Sequence, residues 1–350
     1  MTQKKSETSL MDYSKYPVEV SVIACHHKGE FIYKFVDSVK KSTGVNYEII
    51  IITSDDHLAV TGIKGCRVFN GDQYPAAKRN TGYRVSSGKY IAFFDDDIEI
   101  EPDCLLRYKE FMDSNPTVGM AYGKLYNMER RDRFDEAGGF LTSTGFIWSR
   151  AAQNDIDTGQ YDVYETIFAG KSASCIIREE LFFKVGGFDE DFQILGEESD
   201  LSWRLWLAGH KVCFLYDAVG YHAFNTVYKP AKEYYTSTRV HRNGCRNYIT
   251  MLLKNLEVRN LWKILPIHLV VWFFAMCAMI GTLRLKEGIN IAIGLKQVLG
   301  NLSNTLKKRR QIQSSRVITD KELFTYIFRN PPRTYYTQRF LRYITLCLHG

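Results

Sequence analysis

The chain has 350 residues, enough for one large domain or two ordinary ones. Hydrophobic residues make up 45% and charged residues 24%, the balance of a globular chain rather than a disordered or fibrous one. The formal charge of +7 is uneven, because Lys286 to Gly350 holds 12 Lys+Arg against 3 Asp+Glu and the remainder is close to neutral. A basic C-terminal segment of this kind suits an anionic partner, either nucleic acid or an acidic membrane face. The eight cysteines form no CxxC pair, which predicts reduced thiols and argues against a zinc site or a disulfide framework.

Met1 to Lys15 is polar, has no apolar stretch of a secretory signal, and reads with Tyr16 as a disordered segment, residues 1–16. Val18 to Cys25 is an apolar strand, followed by helical spacing from Phe31 to Lys41. Glu48 to Thr53, with four consecutive isoleucines, reads as a strand buried on both faces. A short strand at Arg67 to Phe69, a helix from Ala76 to Val85 and a strand from Tyr90 to Phe94 follow, then a helix from Cys104 to Met112 closed by Asn115-Pro116. Continuous β-branched runs separated by helices predict a mixed, mainly parallel sheet covered on both faces. Ligands of such sheets bind beyond the C-terminal strand ends. Three polar clusters sit there: Cys25-His26-His27-Lys28, Thr53-Ser54-Asp55-Asp56 and Asp95-Asp96-Asp97.

The three consecutive aspartates are the most informative of these. Like charges this close require positive charge nearby, and a divalent metal with its preference for hard oxygen ligands supplies it. An acidic, solvated turn is the plainer alternative.

Leu125 to Gln160 is polar and reads as a long, mobile connection of the kind that forms lids or acceptor-binding elements. Ser172 to Ile177 is apolar, Glu179 to Val185 is a helix, and Gly186-Gly187 stops it. Glu197-Glu198-Ser199-Asp200 opens a helix from Leu201 to Ala208, where acids in the first turn also suit the macrodipole. Asp200 and Arg204 lie i,i+4 and read as a structural pair, and Trp203 and Trp206 read as packing residues.

Four stretches over residues 18–260 resemble the family-2 glycosyltransferases of GT-A fold, and most of all their rhamnosyltransferase-like, membrane-associated branch. Val20 to Cys25 with Glu48 to Asp56 resembles the nucleoside-binding half, and Ala77-Lys78-Arg79-Asn80-Thr81-Gly82 the (A/R)-N-x-G segment. Phe94-Asp95-Asp96-Asp97 with Glu101-Pro102-Asp103 resembles the DXD motif and its following P-D. Gly186-Gly187-Phe188-Asp189-Glu190, then Glu197-Glu198-Ser199-Asp200-Leu201 with Arg204, resembles the G-G-F-D-E and E-D-x-D-L-x-x-R motifs.

The resemblance implies a GT-A catalytic domain over 17–230 and a metal-dependent, inverting transfer from a nucleotide-sugar donor to a glycan or lipid-linked acceptor, in cell-envelope polysaccharide or glycolipid synthesis. Asp97 and Asp95 would hold Mn2+ or Mg2+, with His222 near the metal or diphosphate. Asp55, Asp56, Lys78, Arg79, Asn80, Asp95 and Asp96 are the donor-binding candidates. The family's base falls on Glu198, where this chain has Glu in place of Asp, so Glu197 stays a rival.

Tyr234 to Asn255 reads as an Arg- and Asn-rich helix whose Arg242 and Arg246 are candidates for acceptor or diphosphate contacts. Ile264 to Leu283 is a 20-residue apolar stretch flanked by aromatic and basic residues. A single span would export the basic tail away from the cytosolic donor. Residues 231–350 are therefore expected to lie as helices on the cytoplasmic membrane leaflet, removable from residue 262 onward to give a soluble protein. An oligomer interface or soluble helical domain is the alternative for this region. Two other functions compete: a sugar-nucleotide-forming nucleotidyltransferase, and a nucleic-acid-binding protein acting through the basic tail. The first lacks a Gly-rich triphosphate loop after the first strand; the acidic site and the apolar stretch argue against nucleic acid.

Overall fold

The computed structural model describes residues 16–27, 29–54, 60, 62–151, 154–223, 238–332 and 334. Asp55 and Asp56 lie outside the described residues, as do Lys28, residues 1–15 and most of the aromatic and basic C-terminal end. The first half runs β1 (Val18–His26), α1 (Phe31–Val39), β2 (Tyr47–Thr53), β3 (Arg67–Asn70), α2 (Pro75–Arg84), β4 (Gly88–Asp95), β5 (Ile98–Ile100), α3 (Cys104–Ser114) and β6 (Val118–Asn127). Then come β7 (Phe134–Glu136), β8 (Gly139–Leu141), β9 (Ile147–Ser149), β10 (Glu165–Thr166), β11 (Ser174–Arg178), α4 (Glu179–Lys184), α5 (Glu197–Leu207) and β12 (Lys211–His222). Five helices complete it: α6 (Thr238–Asn255), α7 (Val258–Gly281), α8 (Leu285–Gly300), α9 (Leu302–Ser314) and α10 (Asp320–Ile327).

The large sheet has the order β10-β12-β6-β11-β4-β1-β2-β3. It is parallel from β4 through β1 and β2 to β3, and mixed beyond, where β11 runs antiparallel to both β4 and β6. Strand alternation divides the core. Ile23, Ile50, Ile52, Ile91 and Phe93 belong to one face, and Val22, Ile49, Ile51, Ala92 and Phe94 to the other. Each of these Val, Ile and Phe side chains, withdrawn from water, contributes about 1.5–3 kcal/mol. The apolar sides of α1 and α3 cover the second face; α2, α4 and α5 cover the first. Gly82 lets α2 lie against β1, because a Cβ there would come within 2.4 Å of Ile23 Cγ2.

The register sets the strand ends side by side. Cys25 pairs with Asp95, and His26 with Thr53, so β1, β2 and β4 end at one edge. β12 is long enough to carry His222 to the same edge, pairing with Ile98 on β5 and Asn127 on β6.

Residues 125–160 depart from the sequence expectation. They form the end of β6, then β7, β8 and β9, and Phe134, Ala137, Phe140 and Leu141 are fully or almost fully buried. Strands of three residues are too short for an apolar period to stand out against the flanking charges.

The boundary drawn at 230/231 is crossed by one core. Met251 and Leu252 of α6, Leu256 just after it, Ile264 of α7, and Leu323 and Ile327 of α10 join the same apolar cluster as Ile91 and Phe93. Buried ions reinforce it. Lys254 Nζ bridges Asp189 (2.5 Å) and Asp200 (2.9 Å), and Asp200 also meets Arg204 and Asn255 at 2.9 Å. Burial works against a charged Asp200, yet Lys254 and Arg204 hold its carboxyl below the usual range. Lys308 of α9 reaches Asp189 at 2.5 Å and Asp191 at 2.7 Å. Removal from residue 262 onward would strip Lys308, Leu323 and Ile327 from these contacts, so the tail is not a separable unit. Part of its basic charge is also paired internally: Arg316 with Asp320 and Glu257, and Arg329 with Glu165.

Losing one partner of a buried ion network leaves the others unpaired. Lys254→Met is expected to cost about 3 kcal/mol and lower Tm by several degrees, measured by thermal unfolding of the full chain. An unchanged Tm would show that Asp189 and Asp200 do not depend on this lysine.

Candidate active site

Three ligand-type atoms come together at the shared strand edge. One each from Asp95, Asp97 and His222 lie within 4.8 Å of one another. β4 ends in Asp95, the turn after it carries Asp96 and Asp97, and β12 delivers His222. His222 Nε2 sits 3.3 Å from Asp97 Oδ1, while its Nδ1 is 2.8 Å from Asp135 Oδ2. Asp135 is fixed in turn by Lys171 at 2.7 Å. A carboxylate on one ring nitrogen sets the tautomer and aims the other nitrogen, the usual support for a metal-binding imidazole. Burial opposes a charged His222, but Asp97 and Asp135 on either side push its pKa up to about 10. The field at this point therefore favours positive charge. Two carboxylate oxygens and an imidazole nitrogen are a donor set that fits a divalent transition ion.

A buried arginine joins this group to the next one. Arg79 donates from Nη2 to Asp95 Oδ1 and from Nη1 to Glu197 Oε1, both at 2.9 Å, with the face of Phe188 5.3 Å from its guanidinium. Burial raises the Asp95 pKa, and Arg79 pulls it back only in part. Glu197 is buried, and among the described residues its Oε2 has no close hydrogen-bond partner. Next to it, Glu198 is half-buried and its pKa is pushed up to about 8, first by burial and then by the Glu197 charge. Both acids lie in the first turn of α5, where the helix N-terminus tempers the cost of placing them together.

The loop leading into that turn is strained. Gln193, Leu195 and Gly196 take φ of 63°, 75° and 85°. Non-glycine residues held there cost about 1–3 kcal/mol each and persist only where their surroundings fix them. Asn247 of α6 does so, with its amide nitrogen 2.7–2.9 Å from the carbonyls of Phe192, Ile194 and Leu195. Arg246 adds a bond to the Phe192 carbonyl at 3.0 Å.

The other candidates fall in three places. Asp96 accepts from the His27 amide at 3.1 Å and lies 2.6 Å from His26 Nδ1, which ties the β4 turn to the end of β1. Lys78 is buried and donates to the His26 carbonyl at 2.5 Å. Asn80 faces away from the carboxylates toward the 186–190 loop: it donates to Phe188 O and Glu190 Oε1 and accepts from the Phe188 amide, all at 2.9 Å. A Cβ at Gly187 (φ 65°) would lie 2.8 Å from that Asn80 oxygen. Asp200 and Arg204 pair at 2.9 Å, and Trp203 and Trp206 are buried. Sequence reasoning passed over Asp135 and Lys171, and it placed Asn247 and Lys254 in the Arg- and Asn-rich helix without these loop and carboxylate contacts. Asp135 sits in the stretch read as a mobile loop, and Lys171 is an isolated polar residue with no motif around it.

Residues 21–163 match the model of Glycosyl transferase family 2. The O-antigen biosynthesis protein RfbC of Myxococcus xanthus is 31% identical over 145 residues, 40% of this chain and 11% of that protein. A pre-mycofactocin glycosyltransferase of Mycobacterium tuberculosis is 28% identical over 145 residues, 39% of this chain and 27% of that protein. The chain thus spans a minor part of these relatives' length. Among solved structures, GalNAc-T7 with UDP, GalNAc and Mn2+ aligns with a TM-score of 0.49 at 15% identity, over 72% of this chain and 54% of that one. The similarity to Glycosyl transferase family 2 thus lies in residues 21–163, the part of the chain that carries β1 to β6 and the Asp95-Asp96-Asp97 turn.

Proposed function

We propose that the protein is an inverting glycosyltransferase that moves a sugar from a nucleotide-sugar donor to a glycan or lipid-linked acceptor in cell-envelope polysaccharide or glycolipid synthesis. The observation that carries this is the Asp95, Asp97 and His222 group, joined through Arg79 to the turn that bears Glu198. The match of residues 21–163 to a glycosyl transferase family and the relative named for O-antigen biosynthesis support the reaction class and its setting.

Asp95, Asp97 and His222 would hold the divalent ion, and an imidazole among the ligands suits Mn2+ better than Mg2+, which prefers oxygen throughout. When bound, it supplies positive charge to the departing diphosphate. Arg79 holds Asp95 in place and keeps Glu197 occupied as an ion-pair partner. That leaves Glu198, the less buried of the two acids, as the base. Its carboxylate takes the acceptor hydroxyl proton as that oxygen bonds to the anomeric carbon, and the bond from that carbon to the diphosphate oxygen breaks with its electron pair going to phosphate. One displacement without an enzyme nucleophile inverts the anomeric centre. Asp96 steadies the end of β1 beside the ligands.

The apolar surface of α7 and α8 supports a membrane location. α7 has a mean hydropathy of 2.2 over its most apolar window, of which 17% is buried. Trp262, Val270, Phe273 and Phe274 are exposed on it, and Leu285 and Ile289 on α8. Exposed Arg259, Lys263, Lys286, Lys296, Lys307 and Arg310 accompany them. Apolar bulk with basic residues around it fits helices lying on an anionic, cytoplasmic leaflet. The nucleic-acid reading loses support because the tail's charge is partly paired within the fold. The nucleotidyltransferase reading loses it because the match is to a transferase of sugars.

A panel of nucleotide sugars with Mn2+, product stereochemistry read by NMR, tests the chemistry. Turnover with inversion is expected for at least one donor; retention, or none with any donor, would count against it. Glu198→Gln should lower kcat about 10²–10⁴-fold with donor affinity unchanged. A carboxyl with a raised pKa is neutral, and useless as a base, below that value. The wild-type kcat/KM should therefore climb with pH, reach half its plateau near pH 8 and level off above it, and the climb should vanish in Glu198→Gln. For the membrane, the full chain should float with phosphatidylglycerol vesicles and not with phosphatidylcholine vesicles. Equal recovery from both, or from neither, would contradict the electrostatic part of the reading.

A further inference from the structure

Arg242 and Arg246 stand one helical turn apart on α6. Arg246 binds the loop that leads into Glu197 and Glu198, and its pKa is lowered by burial and by the neighbouring Arg242 charge. Asp191 is the acid that bears on Arg246, but it is already engaged by Lys308, Asn301 and Asn304. Gln193 gives Arg246 only long contacts of 3.5 Å, and Tyr74, at the start of α2, is the other titratable neighbour. Arg242 has no hydrogen-bond or ion-pair partner among the described residues, and its Nε is shielded from solvent without an acceptor. Shielding a guanidinium nitrogen without an acceptor costs free energy, and two adjacent guanidinium groups add repulsion. Among the described residues nothing accepts from the Arg242 Nε, and Asp191, shared with Lys308, offsets the repulsion only in part.

The same stretch of α6 is also the point at which the exposed apolar helices attach. The Arg242 carbonyl meets α8 so closely that a Cβ on Gly294 would lie 2.6 Å from it, and a Cβ on Gly244 would lie 3.6 Å from Trp272 of α7. The arginine pair thus stands between the base-bearing loop and the helices read as membrane-facing. Guanidinium forks match phosphate oxygens in pairs.

We propose that Arg242 and Arg246 form an anion site for the phosphate of a lipid-linked acceptor, whose chain lies along α7 and α8 while its sugar end reaches Glu198. The proposal rests on the glycosyltransferase reading for what happens at Glu198, but not for the binding itself. The donor's diphosphate is the other phosphate that could meet these arginines, and the test separates the two.

Dodecyl phosphate, kept below its micellar concentration, is titrated into the full chain by calorimetry. Dodecyl maltoside, inorganic phosphate, UDP and GDP serve as comparison ligands. Dodecyl phosphate is expected to bind at least tenfold more tightly than dodecyl maltoside or inorganic phosphate. Arg242→Gln should weaken it at least tenfold and Arg242→Lys less, with the affinities for dodecyl maltoside, UDP and GDP unchanged. Because Arg242 has no partner to lose among the described residues, Arg242→Gln should not lower Tm. Three results would overturn the proposal: equal dodecyl phosphate affinity in Arg242→Gln, a matching loss of UDP or GDP affinity, or a lowered Tm. The titration needs neither donor nor turnover, so it fails or succeeds independently of the transferase assay.

Discussion

Arg79 is the interaction on which the site depends. Carboxylates gather where β4 ends and where α5 begins, and two such groups repel unless something positive lies between them. The Arg79 guanidinium does, at 2.9 Å from Asp95 on one side and from Glu197 on the other. Its fork geometry fixes the two groups relative to each other, which a lysine's single charged nitrogen would not do. α2 carries Arg79, and α2 sits close to β1 only because Gly82 has no side chain. A packing detail of the helix is therefore a condition of the electrostatics at the strand edge.

The C-terminal helices are the second support. α6 binds the strained 192–195 loop through Asn247 and bridges Asp189 and Asp200 through Lys254, and α9 reaches Asp189 and Asp191 through Lys308. The turn bearing Glu198 is thus braced by the region read as membrane-facing. On this account α6, against which the apolar α7 and α8 pack, holds the base in position, and acceptor chemistry and membrane contact meet at that helix.

Much of this was legible in the residues. The apolar runs at β1, β2 and β4 placed their polar ends at one edge, and the register puts Cys25 opposite Asp95 as that reading required. Asp95, Asp97 and His222 were named from motif and position, and they stand together. Asp55 and Asp56 were named in the same way but lie outside the described residues. What stayed hidden were contacts between elements distant in sequence. Asp135 orients His222 from 87 residues away, and Lys254 binds Asp189 from 65 away. Asn80 looked like a donor ligand because its segment matches a motif, yet its amide clamps the 188–190 loop. The stretch 125–160 looked mobile because its strands are too short to show a period.

The most direct measurement is a crystal of the full chain soaked with Mn2+ and a nucleoside diphosphate, with anomalous scattering used to locate the ion. The account predicts one Mn2+ peak among Asp95, Asp97 and His222, lost in Asp97→Ala. A peak elsewhere, or none with the diphosphate bound, would contradict it.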